Sequence, residues 1–157
     1  MNRYFSIVAV SAISLGSLMA IAAQHPSMAM SPKSSILVAQ NRGLAKQLQG
    51  KPVVVNVHAS WCSACKTVSP VLSKLQQEYG SKANFVAFDV SDRGSTKSAQ
   101  NKAQQLGLSD FLQSNKSQTG LVAIVDPASG QVLQQFRGNG NIKDYQSALK
   151  QAIKQVR

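Results

Sequence analysis

Acidic residues are scarce in this chain: six Asp and Glu face seventeen Lys and Arg, a formal charge of +11 over 157 residues. Such a balance raises nucleic acid as a partner, but the bases are not clustered. Lys46, Lys51, Lys66, Lys74, Lys82, Lys97, Lys102, Lys116, Lys143, Lys150 and Lys154 are spread along the chain, with no run of four or more. They read as solvated faces rather than a nucleic-acid site, with an acidic partner or an anionic membrane surface as the functional alternative. Histidine and cysteine are rarer still. The chain holds only His25, His58, Cys62 and Cys65, too few to close a four-ligand structural zinc site around a single Cys pair once His25 is assigned to the leading segment. The cysteine pair is no staple either, because structural disulfides gain from closing long loops and this one closes almost nothing. Its value must lie in chemistry. Repeats, low-complexity tracts and internal linkers are absent from Ser34 onward, so the length fits one compact domain.

The first part of the chain lacks charge. Met1, Asn2 and Arg3 are followed by residues 4–23 with no charged side chain, a positive n-region before an apolar h-region. Residues 1–30 are expected to be a signal peptide, with small residues at Ala20 and Ala22 or at Ser27 and Ala29 suited to cleavage. The alternative is an N-terminal membrane anchor, since the uncharged stretch is just long enough to span a bilayer. Either way the domain at residues 34–157 is expected to be exported, to a periplasm or an equivalent lumen, and to meet a membrane only through that segment.

Within the domain, strand-like and helix-like patterns alternate. Residues 41–49 carry Leu44, Ala45 and Leu48 on one side and predict a short helix, ended by Gly50 with Pro52 close behind. Residues 53–58 form a β-branched apolar run, too continuous for a half-exposed edge, and predict a central strand covered on both faces. Residues 64–79 predict a helix through Val68, Val71, Leu72, Leu75 and Tyr79, with Pro70 inside it as the source of a kink and Gly80 as the stop. A second buried strand is expected at 84–89, a polar helix at 96–106, a third strand at 121–125, a turn at 126–130 and a fourth strand at 131–136. The last helix is expected at 142–156, with Tyr145, Leu149, Ala152 and Ile153 on its buried stripe. The fold class is α/β, a mixed central sheet flanked by helices.

Trp61, Cys62, Ser63, Ala64 and Cys65 fall where the central strand gives way to the kinked helix. Amides at a helix N-terminus bring partial positive charge, which favours a thiolate on Cys62 over the thiol. Cys65 lies one turn further along, on the same helix face, within disulfide range. A mixed disulfide formed at Cys62 is then open to attack by Cys65. Ser63 and Ala64 are small enough to leave the approach clear, and Trp61 offers a flat apolar rim for a protein partner. The two sulfurs carry the electrons themselves, so neither a cofactor nor a metal is required.

This segment resembles the thioredoxin family. The resemblance runs from about Asn41 onward and rests on several features in order: the strand ending at Val57 and His58, the Trp-Cys-x-x-Cys motif, Pro70 in the helix, the strand from Phe85 to Asp89, the turn at 126–130, and Gly138 before the last helix. It implies a thioredoxin fold and thiol-disulfide exchange with protein thiols and disulfides, supplied by an upstream electron donor or acceptor, with Cys62 attacking and Cys65 resolving. Three positions depart from the family pattern. Asn56 stands where cytosolic members have a buried Asp, so it cannot take a proton from the resolving thiol. His58 replaces a Trp, and is expected either to help the thiols exchange protons or simply to fill volume. The family's cis-proline should fall just before residue 121, where this chain has Thr119 and Gly120, with no proline between Pro70 and Pro127. Gly120 is expected to remove bulk beside the sulfurs and to leave that loop less ordered, unless a neighbour such as Thr119 fills the gap. The competing function is a metallochaperone or sensor holding Cu(I) on Cys62 and Cys65, with His58 as a third ligand.

Overall fold

The computed structural model describes residues 43–156. The predicted export segment lies outside the described residues, and among those described no helix is long and apolar enough to cross a membrane.

The apolar run at 53–58 becomes strand β1, Val53–His58, and it takes a central place because neither of its faces tolerates water. Val53, Val55 and Val57 join one core layer while Val54 joins the other, as the two-residue period of a strand requires. By the same alternation Asn56 and His58 share the face of Val54. Strand β2, Asn84–Asp89, pairs in parallel with β1, and strand β3, Leu121–Val125, pairs antiparallel on its other side. Strand β4, Val132–Arg137, completes the order β2-β1-β3-β4. This is a mixed sheet with helices on both faces.

The face of Val54 is covered by helices α1, Ser63–Tyr79, and α4, Ile142–Gln155. Val68, Val71, Leu75 and Tyr79 from α1 meet Tyr145, Leu149 and Ala152 from α4 over Val122 and Ile124. The opposite face is covered by helices α2, Arg93–Leu106, and α3, Ser109–Asn115, whose Ala99, Ala103, Leu106 and Leu112 pack on Val55, Val57 and Phe88. Each large side chain so buried contributes about 1.5–3 kcal/mol relative to exposure.

Several expectations shift. The helix expected at 41–49 reduces, within the described residues, to a single 3-10 turn, Lys46–Leu48. The reason is tertiary: Leu44 N–H donates to Pro127 O at 2.7 Å and Ala45 N–H to Leu106 O at 3.0 Å, which pins the chain before a helix can start. Helix α2 begins at Arg93 rather than 96, because Asp92 caps it, its Oδ1 accepting from Ser95 N–H at 2.9 Å. Helix α3 is not anticipated by periodicity; it follows Gly107, which turns the chain at φ +75°, and buries Leu112 alone. Strand β2 is an edge of the described sheet, with Ala87 exposed, rather than a fully covered strand. Strand β4 begins at Val132 and ends at Arg137, one residue later at each end than its pattern suggests, and α4 stops at Gln155.

Candidate functional site

The site forms where β1 ends and α1 begins. Cys62 is the N-cap of α1 in extended conformation, and Cys65 sits in the helix's first turn, with 5.3 Å between the α-carbons. The two sulfurs are joined as a disulfide. Two contacts orient Cys62: its N–H donates to Ala59 O at 3.1 Å, and its Sγ accepts from Cys65 N–H at 3.1 Å. The second has chemical weight. A backbone amide of the first helical turn aimed at Sγ stabilises negative charge there once the bond is reduced, so the local geometry lowers the cost of a Cys62 thiolate. Ala59, Cys62 and Cys65 form their own small cluster, edged by Ala64 and Val90.

Both sulfur residues are buried, Cys62 at 5% and Cys65 at 8% exposure, while Trp61 beside them is 67% exposed. Pro70 lies exposed in the second turn of α1, where its missing N–H leaves Lys66 O without the usual helical donor.

His58 ends β1 directly opposite Asp89 of β2. The Asp89 carboxyl is held below the usual carboxylate range, first by hydrogen bonds from the Ser91 side chain and backbone and to a smaller extent by the charge of His58. Asn56 lies two residues deeper. Its Oδ1 is buried without a hydrogen-bond partner, beside a cavity of about 260 Å³ whose walls include Leu72, Gln76, Phe85 and Lys102. An unpaired buried acceptor of this kind costs about 1–3 kcal/mol unless solvent satisfies it. Among the described residues no group of three or more His, Cys, Asp or Glu side chains is placed to hold a metal ion. His58 thus does not complete a three-ligand set with the two sulfurs.

The loop before β3 differs from its expectation. Thr119 is buried, and Gly120 holds φ +81° with its N–H donating to Val57 O at 2.9 Å and its carbonyl accepting from Gly138 N–H at 2.9 Å. It is anchored on both sides rather than loosened. Nor does Gly120 open space beside the sulfurs: a Cβ there would stand 2.9 Å from the Ala64 Cβ and 3.6 Å from the Cys65 nitrogen. Ala64 fills the gap, not Thr119. Gly138, at φ +61°, approaches the same methyl, and a Cβ on it would lie 3.4 Å away.

Ser91 also belongs to the site, receiving two hydrogen bonds from the loop before α1: Ser60 N–H to Ser91 Oγ at 2.8 Å and Trp61 Nε1–H to Ser91 O at 3.0 Å. No local pattern marks a serine thirty residues away.

The family model described as Thioredoxin matches residues 35–116, more than half of the chain. A thioredoxin-like protein HCF164 of Arabidopsis thaliana chloroplasts is 44% identical over 41 residues, 26% of this chain and 16% of that protein. Thioredoxin of Bacillus subtilis is 32% identical over 62 residues, 40% of this chain and 60% of that one. These matches span less than two thirds of either relative. Among solved structures, MTB dsbF in its mixed oxidized and reduced forms superposes with a TM-score of 0.50 at 22% identity, over 73% of this chain and 97% of that one. A thioredoxin-like protein solved in its oxidized form gives a TM-score of 0.50 at 16% identity, over 74% and 88%. At such identities the likeness is one of fold. The family match covers β1, the disulfide and α1, β2 and both helices of the second face, and on that footing the chain belongs to the thioredoxin family.

Proposed function

We propose that this protein is a thiol-disulfide oxidoreductase that exchanges electrons with partner proteins outside the cytoplasm through reversible oxidation of Cys62 and Cys65. The observation that carries the reading is the disulfide at the start of α1 with the Cys65 amide directed at Cys62 Sγ. In the reducing direction, the Cys62 thiolate attacks one sulfur of a partner disulfide, forming a mixed disulfide and expelling the partner's other sulfur as a thiolate. The Cys65 thiolate then attacks Cys62 Sγ and displaces the partner's remaining thiol. Two electrons pass to the partner and the Cys62–Cys65 bond is remade. Run backwards, the same steps oxidise a partner dithiol. Burial of both cysteines, with an exposed Trp61 adjoining them in the chain, favours partners that dock as polypeptide over small disulfides that need only diffuse in.

The test is equilibration of the pair with glutathione redox buffers, together with reduction of insulin by the protein under dithiothreitol. A reversible two-electron transition within the span of known exchangers, about −120 to −270 mV, with faster insulin reduction supports the reading. Cysteines that equilibrate with no buffer, or that leave the insulin rate unchanged, count against it. Export is part of the proposal and rests on the charge-free run at residues 4–23; it is tested by the compartment and N-terminal mass of the protein recovered from cells.

A further inference from the structure

The turn that presents Cys62 is tied down at one distant point. Ser60 N–H donates to Ser91 Oγ at 2.8 Å, and the Trp61 indole N–H donates to the Ser91 carbonyl at 3.0 Å. Ser91 is in turn fixed from behind by Asp89, whose carboxylate accepts both the Ser91 N–H, at 2.9 Å, and the Ser91 hydroxyl. An ionised carboxylate can only accept, so the hydroxyl proton is committed to Asp89 and an Oγ lone pair is left facing Ser60. Asp89 itself sits in the β1/β2 ladder opposite His58, and Val90 N–H continues that ladder to His58 O at 2.9 Å. The chain of contacts therefore runs from the sheet through Asp89 and Ser91 to the indole.

None of these bonds reaches the sulfurs. Cys62 has its own anchors, Ala59 O and Cys65 N–H. What the chain of contacts fixes is Trp61, which is 67% exposed and yet has its one polar atom bound. A large exposed side chain would otherwise lose rotamer freedom when a partner covers it; one already held by its edge, with its surface open, loses less.

We propose that Ser91, backed by Asp89, is a positioning residue for exchange with protein partners: it holds Trp61 as a preformed platform for the polypeptide flanking the partner's sulfur, and takes no part in the sulfur chemistry. This rests on the oxidoreductase reading for its kinetic arm alone.

Trp61 is the single tryptophan of the chain, so its fluorescence reports the platform directly. Ser91→Ala removes the Ser60 acceptor and the hydroxyl bond to Asp89, leaving the Ser91 carbonyl that takes the indole N–H less firmly held, with only the Ser91 N–H still bound to Asp89. The expected result is faster local depolarisation of Trp61 emission and a KM for insulin raised about threefold to tenfold, the worth of one hydrogen bond, with kcat unchanged. The rate with the small disulfide dithionitrobenzoate is expected to stay at the wild-type value. Asp89→Asn, which keeps an acceptor for Ser91, is expected to preserve both depolarisation and KM. In a Trp61→Ala background, Ser91→Ala is expected to add nothing to KM. Unchanged Trp61 depolarisation in Ser91→Ala overturns the proposal, and so does an equal loss of rate with insulin and with dithionitrobenzoate, which would place the effect at the sulfurs or in the fold. A wild-type protein inactive on insulin would remove the oxidoreductase reading instead, and the depolarisation measurement would still decide whether Ser91 holds the indole.

Discussion

Gly120 and Ala64 lie so close that a Cβ on the glycine would stand 2.9 Å from the alanine methyl. The contact joins the loop before β3 to the first turn of α1, between the two cysteines. It sets the glycine that stands where the family resemblance implies a proline against the small residue of the adjoining turn.

Restoring proline is therefore expected to harm the protein. Gly120→Pro would force φ from +81° to about −65°, strip the N–H that Val57 O accepts, and drive ring atoms into Ala64. The expected loss of stability is about 2–6 kcal/mol, from one buried carbonyl left unpaired and one strained backbone position. Urea unfolding measures it. An unchanged midpoint with faster insulin reduction would show that this loop is not anchored as described. The milder Gly120→Ala is expected to destabilise as well, and Ala64→Gly to recover the part of that loss due to crowding while the strain of a positive φ remains.

The roles of the two sulfurs separate in trapping experiments. Cys65→Ser is expected to accumulate mixed disulfides between Cys62 and partner proteins, because nothing remains to displace them. Cys62→Ser is expected to accumulate none, since Cys65 lacks the N-cap position. Non-reducing gels followed by mass spectrometry read the result, and the opposite pattern would reverse the assignment.

Stability at high pH is expected to depend on Tyr145. Its ring is buried against Phe136, with centroids 4.5 Å apart, and its hydroxyl donates to Asn139 O at 2.9 Å. Burial, with the Asp144 charge adding to it, pushes its pKa up to about 12. The folded state thus binds the phenol proton more tightly than the unfolded chain, where tyrosine ionises near about 10. This contribution is fully present below pH about 10 and is lost as pH rises toward about 12. Tyr145→Phe is expected to cost about 0.5–1.5 kcal/mol at neutral pH through the lost hydrogen bond and to flatten the decline between pH about 10 and 12. An identical alkaline profile in the variant would locate that decline in another group.

Much of this architecture is legible in local chemistry. The valines of β1, the apolar spacing of α1 and α4 and the run at 121–125 announce their elements because their solvent preference repeats at the period of the structure they form. Helix α3 escapes notice because seven residues with one fully buried leucine hold too little of a period to detect. The first short helix is over-read for the opposite reason: Leu44 and Leu48 are buried as their spacing suggests, but the segment is held by backbone bonds from Leu44 to Pro127 and from Ala45 to Leu106, contacts that spacing cannot encode.

The site divides in the same way. By itself the sequence determined that the two thiols meet, since two cysteines three positions apart at a strand-to-helix junction must share one helix end. Only the tertiary structure decided what surrounds them. Ser91 reaches the indole from the loop after β2, Asp89 faces His58, Asn56 is left with an unpaired oxygen, and Gly120 closes on Ala64. A helix or strand is selected by neighbours in the chain, whereas these relations are set by how separate elements pack, where a few tenths of an ångström settle whether a side chain fits.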